Sequence, residues 1–387
     1  MTAREAAAAP PALAPPPGHP RFPLFDGLRA IAALSIVVTH TANQSGFNQQ
    51  SRFGPLTARL DVGVTVFFVI SGFLLYRPFV ASRLEGRPRP AVWRYARRRA
   101  LRILPAYWVA LTVLGGIGWL HGVLGDHWWV HYGLVQNLHT SWILTGLGVA
   151  WSLCIEASFY LVLPLYALAA ERWLHGRSHG RQMRAELIVL PALGAASLVA
   201  RAIVFDQDPG AAFSFTLPGT FLWFAVGMSL AVLSAGLHPR TDDELPAPLR
   251  WVAKAPWLAW VAAAAVLVFT AWGAGLPSGA TWTAVQWGEQ HLLYATFALL
   301  LVVPAVFGQR GVVARVLGNP VAAWLGLVSY GIFLYHVPLV SRLLDVGSHG
   351  GFVVYTAAVA AVATGCAAAS YYIVERPLLK LKETRRA

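Results

Sequence analysis

The chain has 387 residues, of which 57% are hydrophobic and only 12% charged. Soluble domains carry about 25% charged residues, and half that load cannot cover a soluble surface of this size. Two cysteines exclude a disulfide scaffold, and the apolar content excludes disorder for most of the chain. The formal charge of +13 raises nucleic acid as a partner, but the cations lie between apolar runs. Membrane topology accounts for them, and no nucleic acid is expected.

In chain order, residues 1–23 hold seven Ala and seven Pro, a composition that predicts a disordered tail. The tail is not read as a signal peptide, because the first apolar run begins at Leu24 and is long enough to span. Ten runs then approach the ~20 apolar residues that a crossing needs: 24–43, 62–80, 100–120, 148–170, 185–204, 213–236, 255–274, 289–307, 321–344 and 351–374. They are long, continuous and rich in Ala and Leu, without the alternation of barrel strands. The expected fold is all-α, a polytopic membrane protein with about ten transmembrane helices. One membrane domain over 24–376 is followed by a basic tail, 377–387. No gap between spans exceeds 30 residues, so no inserted soluble domain is expected.

Of the 30 Lys and Arg, 23 fall in residues 1–23 and 375–387 and in loops 81–99, 171–184, 237–254 and 308–320. The opposite side holds two, Arg52 and Arg59, and the last five lie within or beside spans. This alternation places both termini in the cytoplasm of a plasma-membrane protein. Run Arg94, Arg97, Arg98, Arg99, Arg102 suits anionic headgroups or a phosphorylated molecule.

Ionisable groups at membrane depth are costly and mark candidate sites. Arg29 and His40 are 11 residues apart on the first span, about 16.5 Å along one face. The bland alternative is that Arg29 snorkels to headgroups and His40 caps the outer interface. Ser71-Gly72 on the second span permits close approach by a ligand or, more commonly, by another helix. Arg77 follows toward the cytoplasm. Glu156 lies about two turns into the fourth span and His336 about 15 residues into the ninth. Depth therefore predicts an outer layer of His40, Glu156 and His336 and an inner layer of Arg29, Arg77, Arg102 and Glu375. A titratable group near one face and cations near the other suit a donor with a phosphorylated head and a long thin arm, such as a coenzyme A ester.

Loop 121–147 holds His121, His127, His131 and His139 with Trp128-Trp129. His127 and His131 stand i,i+4, but no third ligand has matching spacing and no metal is expected. The tryptophans read as an interfacial belt or a stacking surface for a sugar. Cys154 and Cys366 read as small apolar filler, with a nucleophilic Cys154 the weaker alternative.

In order, several motifs resemble the acyltransferase-3 family of membrane-integral O-acyltransferases, over roughly residues 21–378. They are Asp26-Gly27-Leu28-Arg29-Ala30 with His40, Phe67-Phe68-Val69-Ile70-Ser71-Gly72-Phe73, and Arg97-Arg98-Arg99 with Arg102, Ile103 and Pro105. Trp151-Ser152-Leu153-Cys154-Ile155-Glu156 with Phe159-Tyr160 follows, where Cys154 replaces the usual Ser. Ser329-Tyr330 through His336 and Val374-Glu375-Arg376-Pro377 complete the series.

The resemblance implies acyl transfer, often of acetyl, from cytoplasmic acyl-CoA to a hydroxyl of a carbohydrate, glycolipid or macrolide-like acceptor. No tightly bound cofactor is implied. His40 becomes the expected catalytic base, with Arg29 as its partner. The reading by depth adds Glu156 as the group that orients His40. Arg29, Arg77 and Arg102 hold the phosphates or the thioester oxygen, and Ser71 and His336 shape the substrate site. Glu375 and Arg376 are expected to pair with each other. The rival class is a transporter that moves an acylated or anionic solute without chemistry.

Overall fold

The computed structural model describes residues 22–207, 212–237, 244–277 and 282–380. Almost all of the expected disordered tail 1–23, and the end of the basic tail 377–387, lie outside the described residues. Among the described residues every regular element is a helix and none is a strand. Ten long helices carry the architecture. They are α1 (Leu24–Gln44), α2 (Gly63–Leu84), α3 (Val92–Gly116), α4 (Ala150–Leu174), α5 (His179–Gln207), α6 (Leu217–Gly236), α7 (Pro256–Val268), α8 (Ala284–Phe307), α9 (Pro320–Arg342) and α10 (Leu344–Ser370).

Nine segments among the described residues are long and apolar enough to cross a membrane, which makes this a multi-pass membrane protein. They match nine of the ten expected spans. The remaining one, 100–120, forms α3, whose first half carries Arg94, Arg97, Arg98, Arg99 and Arg102. Only the stretch from Ile103 to Gly116 is free of charge, about 21 Å of helix against a hydrocarbon core of about 30 Å. The arginines at the α3 entrance therefore reach toward the interface rather than into lipid.

Local chemistry sets several boundaries. Thr283 accepts from Gln286 N while the Gln286 side chain accepts from Thr283 N. This capping box starts α8 at Ala284, five residues before the run expected at 289. Asn319 caps α9 by accepting from Ala322 N, with Pro320 at the first helical position. A π-turn, Tyr371–Glu375, continues α10 and leads into a short helix, Arg376–Lys380. That turn carries Glu375 toward α3.

Without a hydrophobic drive between helices in lipid, close packing depends on small residues. Gly72 of α2 lies so near the Phe224 carbonyl of α6 that a Cβ would sit 2.4 Å from it. Gly227 of α6 meets the Val69 carbonyl of α2 in the same way, at 2.1 Å. Of the two readings of Ser71-Gly72, the helix-packing one therefore holds for Gly72. Burial sorts the helices. The apolar windows of α1, α2, α8 and α9 are 61% buried, whereas those of α5 and α10 are 22% buried. The first group forms the centre and the second the lipid-facing rim. Cys154 is buried and Cys366 exposed on α10, and neither is in a disulfide.

Candidate functional site

Two of the expected site residues meet at the centre. His40 of α1 and His336 of α9 are joined through His40 Nδ1 and His336 Nε2, 2.8 Å apart. Their ring planes lie within 9° and the centroids 5.0 Å apart, the disposition of two imidazoles linked edge to edge. His336 is fully buried, and its Nδ1 lies 3.1 Å from the carbonyl oxygen of Ile332 and 2.9 Å from that of Phe333. His40 is only half-buried. Parallel packing of α1 and α9 produces this meeting: Gly326 of α9 abuts the Asp26 carbonyl of α1, and the histidines lie further along both helices.

A cavity of about 90 Å³ lies on the side of this pair toward the N-terminal end of α1. Arg29, Ser71, Arg99, Arg102, Glu156 and Tyr330 line it, along with apolar residues that include Phe67 and Phe333. Ser71 donates to Glu156 Oε1 at 2.5 Å. Arg29 Nη1 pairs with Asp26 at 3.0 Å, and Arg102 Nη1 with Glu375 at 3.4 Å. Tyr330 donates to the Ile103 carbonyl at 2.9 Å and ties α9 to α3. The rings of Phe67 and Phe333 meet edge to face at 6.1 Å, and Phe333 also lies 5.8 Å from the His336 ring. These phenylalanines stand between the cavity and the histidine pair.

The geometry departs from the expected roles of three residues. Glu156 joins Ser71 among the arginines, and among the described residues no hydrogen bond links it to His40; the α4 helix places it on the face toward α2 and α3. Arg77 does not line the cavity. It donates to the Ser234 hydroxyl at 2.9 Å and the Ser234 carbonyl at 3.2 Å, and covers the Phe22 ring. Its side chain is held against α6 and Phe22 instead. Glu375 pairs with Arg102 rather than with Arg376, which instead lies over Tyr372, because adjacent helical residues do not face each other.

A second, larger basic recess of about 330 Å³ adjoins the first. Arg87, Arg89, Arg94, Arg98 and Arg99 surround it with Tyr95. Arg99 lines both spaces, and its Nε, like the Tyr95 hydroxyl, is buried without a protein partner. The basic run was legible in the sequence, but its closure over one recess was not. Two carboxylates escaped the reading altogether. Asp61, assigned to an outer loop, accepts from Tyr294 of α8. Glu186, placed near a span boundary, is fully buried and accepts from both Tyr76 and Arg83. In loop 121–147, His127 and His139 each lie against the Trp142 ring, while Trp128 and Trp129 are exposed.

These features define a class: a helical, multi-pass membrane protein whose interior holds a histidine pair and an arginine-lined cavity. Residues 23–372 match the family model described as an acyltransferase domain, and the chain belongs to this acyltransferase-3 family. It is similar to nodulation protein 10 of Rhizobium leguminosarum bv. viciae, 26% identical over 92% of this chain and 93% of that one. The peptidoglycan O-acetyltransferase OatA of Listeria monocytogenes is 22% identical over 82% of this chain. Acyltransferase MdmB of Streptomyces mycarofaciens is 33% identical over 39% of this chain and 40% of its own length. The chain spans about half the length of OatA, 49%, and of YrhL from Bacillus subtilis, 55%. No solved structure matches the chain.

Proposed function

We propose that the protein is an integral membrane O-acyltransferase. It moves an acyl group, acetyl in the simplest case, from acyl-CoA on the cytoplasmic side to a hydroxyl of a carbohydrate, glycolipid or macrolide-like acceptor. The observation that carries this reading is the histidine pair placed one phenylalanine layer from a cavity lined by Arg29, Arg99 and Arg102. The basic recess around Arg87, Arg89 and Arg94 suits the phosphates of a coenzyme A ester, since guanidinium groups bind phosphate through charge-assisted hydrogen bonds. The thin arm then runs past Arg99 into the smaller cavity, where Arg29 or Arg102 faces the thioester oxygen. Similarity to an O-acetyltransferase and to an acyltransferase supports the same class of reaction.

In the reaction, His40 removes the proton from the acceptor hydroxyl. The acceptor oxygen attacks the thioester carbonyl, the carbon–sulfur bond breaks, and the proton held by His40 returns to the departing thiolate. An ester and free coenzyme A result. Glu156 acts with Ser71 in the donor cavity, where its negative charge offsets three guanidinium groups. Arg77 keeps a structural role toward α6. The termini face the cytoplasm of a plasma-membrane protein, and membrane lipids surround α5 and α10.

The test is release of free coenzyme A from acetyl-CoA by the purified protein in nanodiscs. Release is expected from the wild type and should be about 10²–10⁴-fold slower from His40→Ala. A wild-type protein that binds acetyl-CoA and leaves it intact would favour transport instead. Orientation is tested with single cysteines at Gly125 and Ser178, in a background without Cys154 and Cys366. An impermeant maleimide should label position 125 and spare 178 in intact cells, and the reverse pattern inverts the topology.

A further inference from the structure

We infer that His336 is a positioning residue that fixes the tautomer of His40, so that Nε2 of His40 is the basic nitrogen. The inference rests on the assignment of His40 as the base and adds which nitrogen acts and what selects it. A carbonyl oxygen only accepts, and Nδ1 of His336 lies within hydrogen-bond distance of two of them, on Ile332 and Phe333. Nδ1 of His336 therefore carries the ring proton. In the neutral imidazole the other nitrogen is then an acceptor, which makes Nε2 of His336 a lone-pair site. The group 2.8 Å away, Nδ1 of His40, must donate to it. His40 is thereby held with its proton on Nδ1 and its lone pair on Nε2. No protein group among the described residues hydrogen-bonds to that Nε2, and His40 keeps partial exposure where His336 has none.

The chain of donors runs in one direction, from His40 to His336 to the backbone of α9. Its last link consists of backbone carbonyls three and four residues back along the helix, so the polarity is built into α9 and cannot reverse without breaking both contacts. The arrangement does what a carboxylate does in a Ser-His-Asp triad: it orients the ring and selects the tautomer. It does so with a neutral acceptor, so no buried anion is needed at membrane depth. When Nε2 of His40 takes the acceptor's proton, the Nδ1–H bond to His336 becomes charge-assisted and strengthens. The Glu156 carboxylate, committed to Ser71, is not required for this step.

Two substitutions separate positioning from packing. His336→Leu keeps an apolar side chain and removes the acceptor. His336→Gln presents an amide oxygen to His40 and its amide N–H to the α9 carbonyls. With acetyl-CoA as donor and water as the probe acceptor, kcat for coenzyme A release should fall about 10²–10³-fold in His336→Leu. KM for acetyl-CoA should change less than about threefold, and His336→Gln should recover most of the loss. Equal loss in both variants, or full activity in His336→Leu, overturns the inference.

An independent readout uses ¹⁵N-histidine labelling in micelles. Wild-type His40, identified by its absence in His40→Gln, should show a protonated Nδ1 and an unprotonated Nε2. His336→Leu should lose that preference. A wild-type His40 protonated at Nε2 overturns the inference whether or not acetyl-CoA is turned over. Absence of turnover with the expected tautomer instead removes the enzymatic reading and leaves the histidine geometry standing.

Discussion

The histidine pair and the arginine cavity are neighbours that solve opposite problems. At the pair, two rings satisfy each other and the α9 backbone without formal charge, in a site where His336 has no exposure. In the cavity, three arginines gather around one carboxylate, with Asp26 and Glu375 pairing two of them from outside. A charge at membrane depth is costly unless it is paired or hydrated. The neutral pair is therefore the one suited to a dry position, and the cations cluster where a basic recess continues the polar path. On the proposed function the difference teaches that depth and chemistry are matched: a base needs a lone pair held still, and an anionic donor needs positive charge it can enter.

The largest expected effect tests the pair. His40→Ala should lower kcat for acetyl-CoA turnover by about 10²–10⁴-fold and leave KM for acetyl-CoA nearly unchanged. A raised KM with kcat preserved would assign His40 to donor binding and erase the contrast between the two regions. Arg29→Ala should show the opposite signature. Loss of a charge-assisted hydrogen bond to the donor, worth about 1.5–3 kcal/mol, corresponds to a KM higher by about 10–150-fold. An unchanged acyl-CoA dependence leaves Arg29 as a partner of Asp26 alone.

Glu156→Gln sharpens the boundary. If the carboxylate serves the cavity, kcat should fall less than tenfold, and KM for acetyl-CoA should stay level or decrease as the local positive charge rises. A kcat loss as large as that of His40→Ala would return Glu156 to the base.

The smallest effect concerns a third histidine, outside the membrane helices. His131 is buried and its Nδ1 has no protein partner. Burial first, and His127 second, hold it below its ordinary range. The unfolded chain thus binds a proton more readily, so the stability due to neutral His131 is complete above about pH 6.5 and is lost as pH falls through the folded-state value. Thermal unfolding at pH 7.5 and 5.5 should show a larger acid destabilisation in the wild type than in His131→Gln. Equal drops would remove His131 as a source of acid sensitivity.

The sequence by itself determined the solvent, the helical class and most of the spans. Hydrocarbon thickness demands long apolar runs, and the Lys/Arg alternation records how loops are retained on one side. It also marked His40, His336, Arg29 and Arg102, because ionisable residues inside apolar runs stand out against their neighbours. Pairings between helices were decided only by the tertiary structure. His40 and His336 lie 296 positions apart, and nothing in either span says which way its ring faces. Depth alone put Glu156 beside His40. The rotation of α4 put it on Ser71, since helices at equal depth meet only on the faces that their packing turns together. Glu375 was drawn to Arg102 by a π-turn that no periodicity announces. Glycine contacts such as Gly72 with Phe224 and Gly227 with Val69 set how α2 and α6 pack. A glycine in a sequence shows that a backbone can come close, but which backbone does so is decided when the helices assemble.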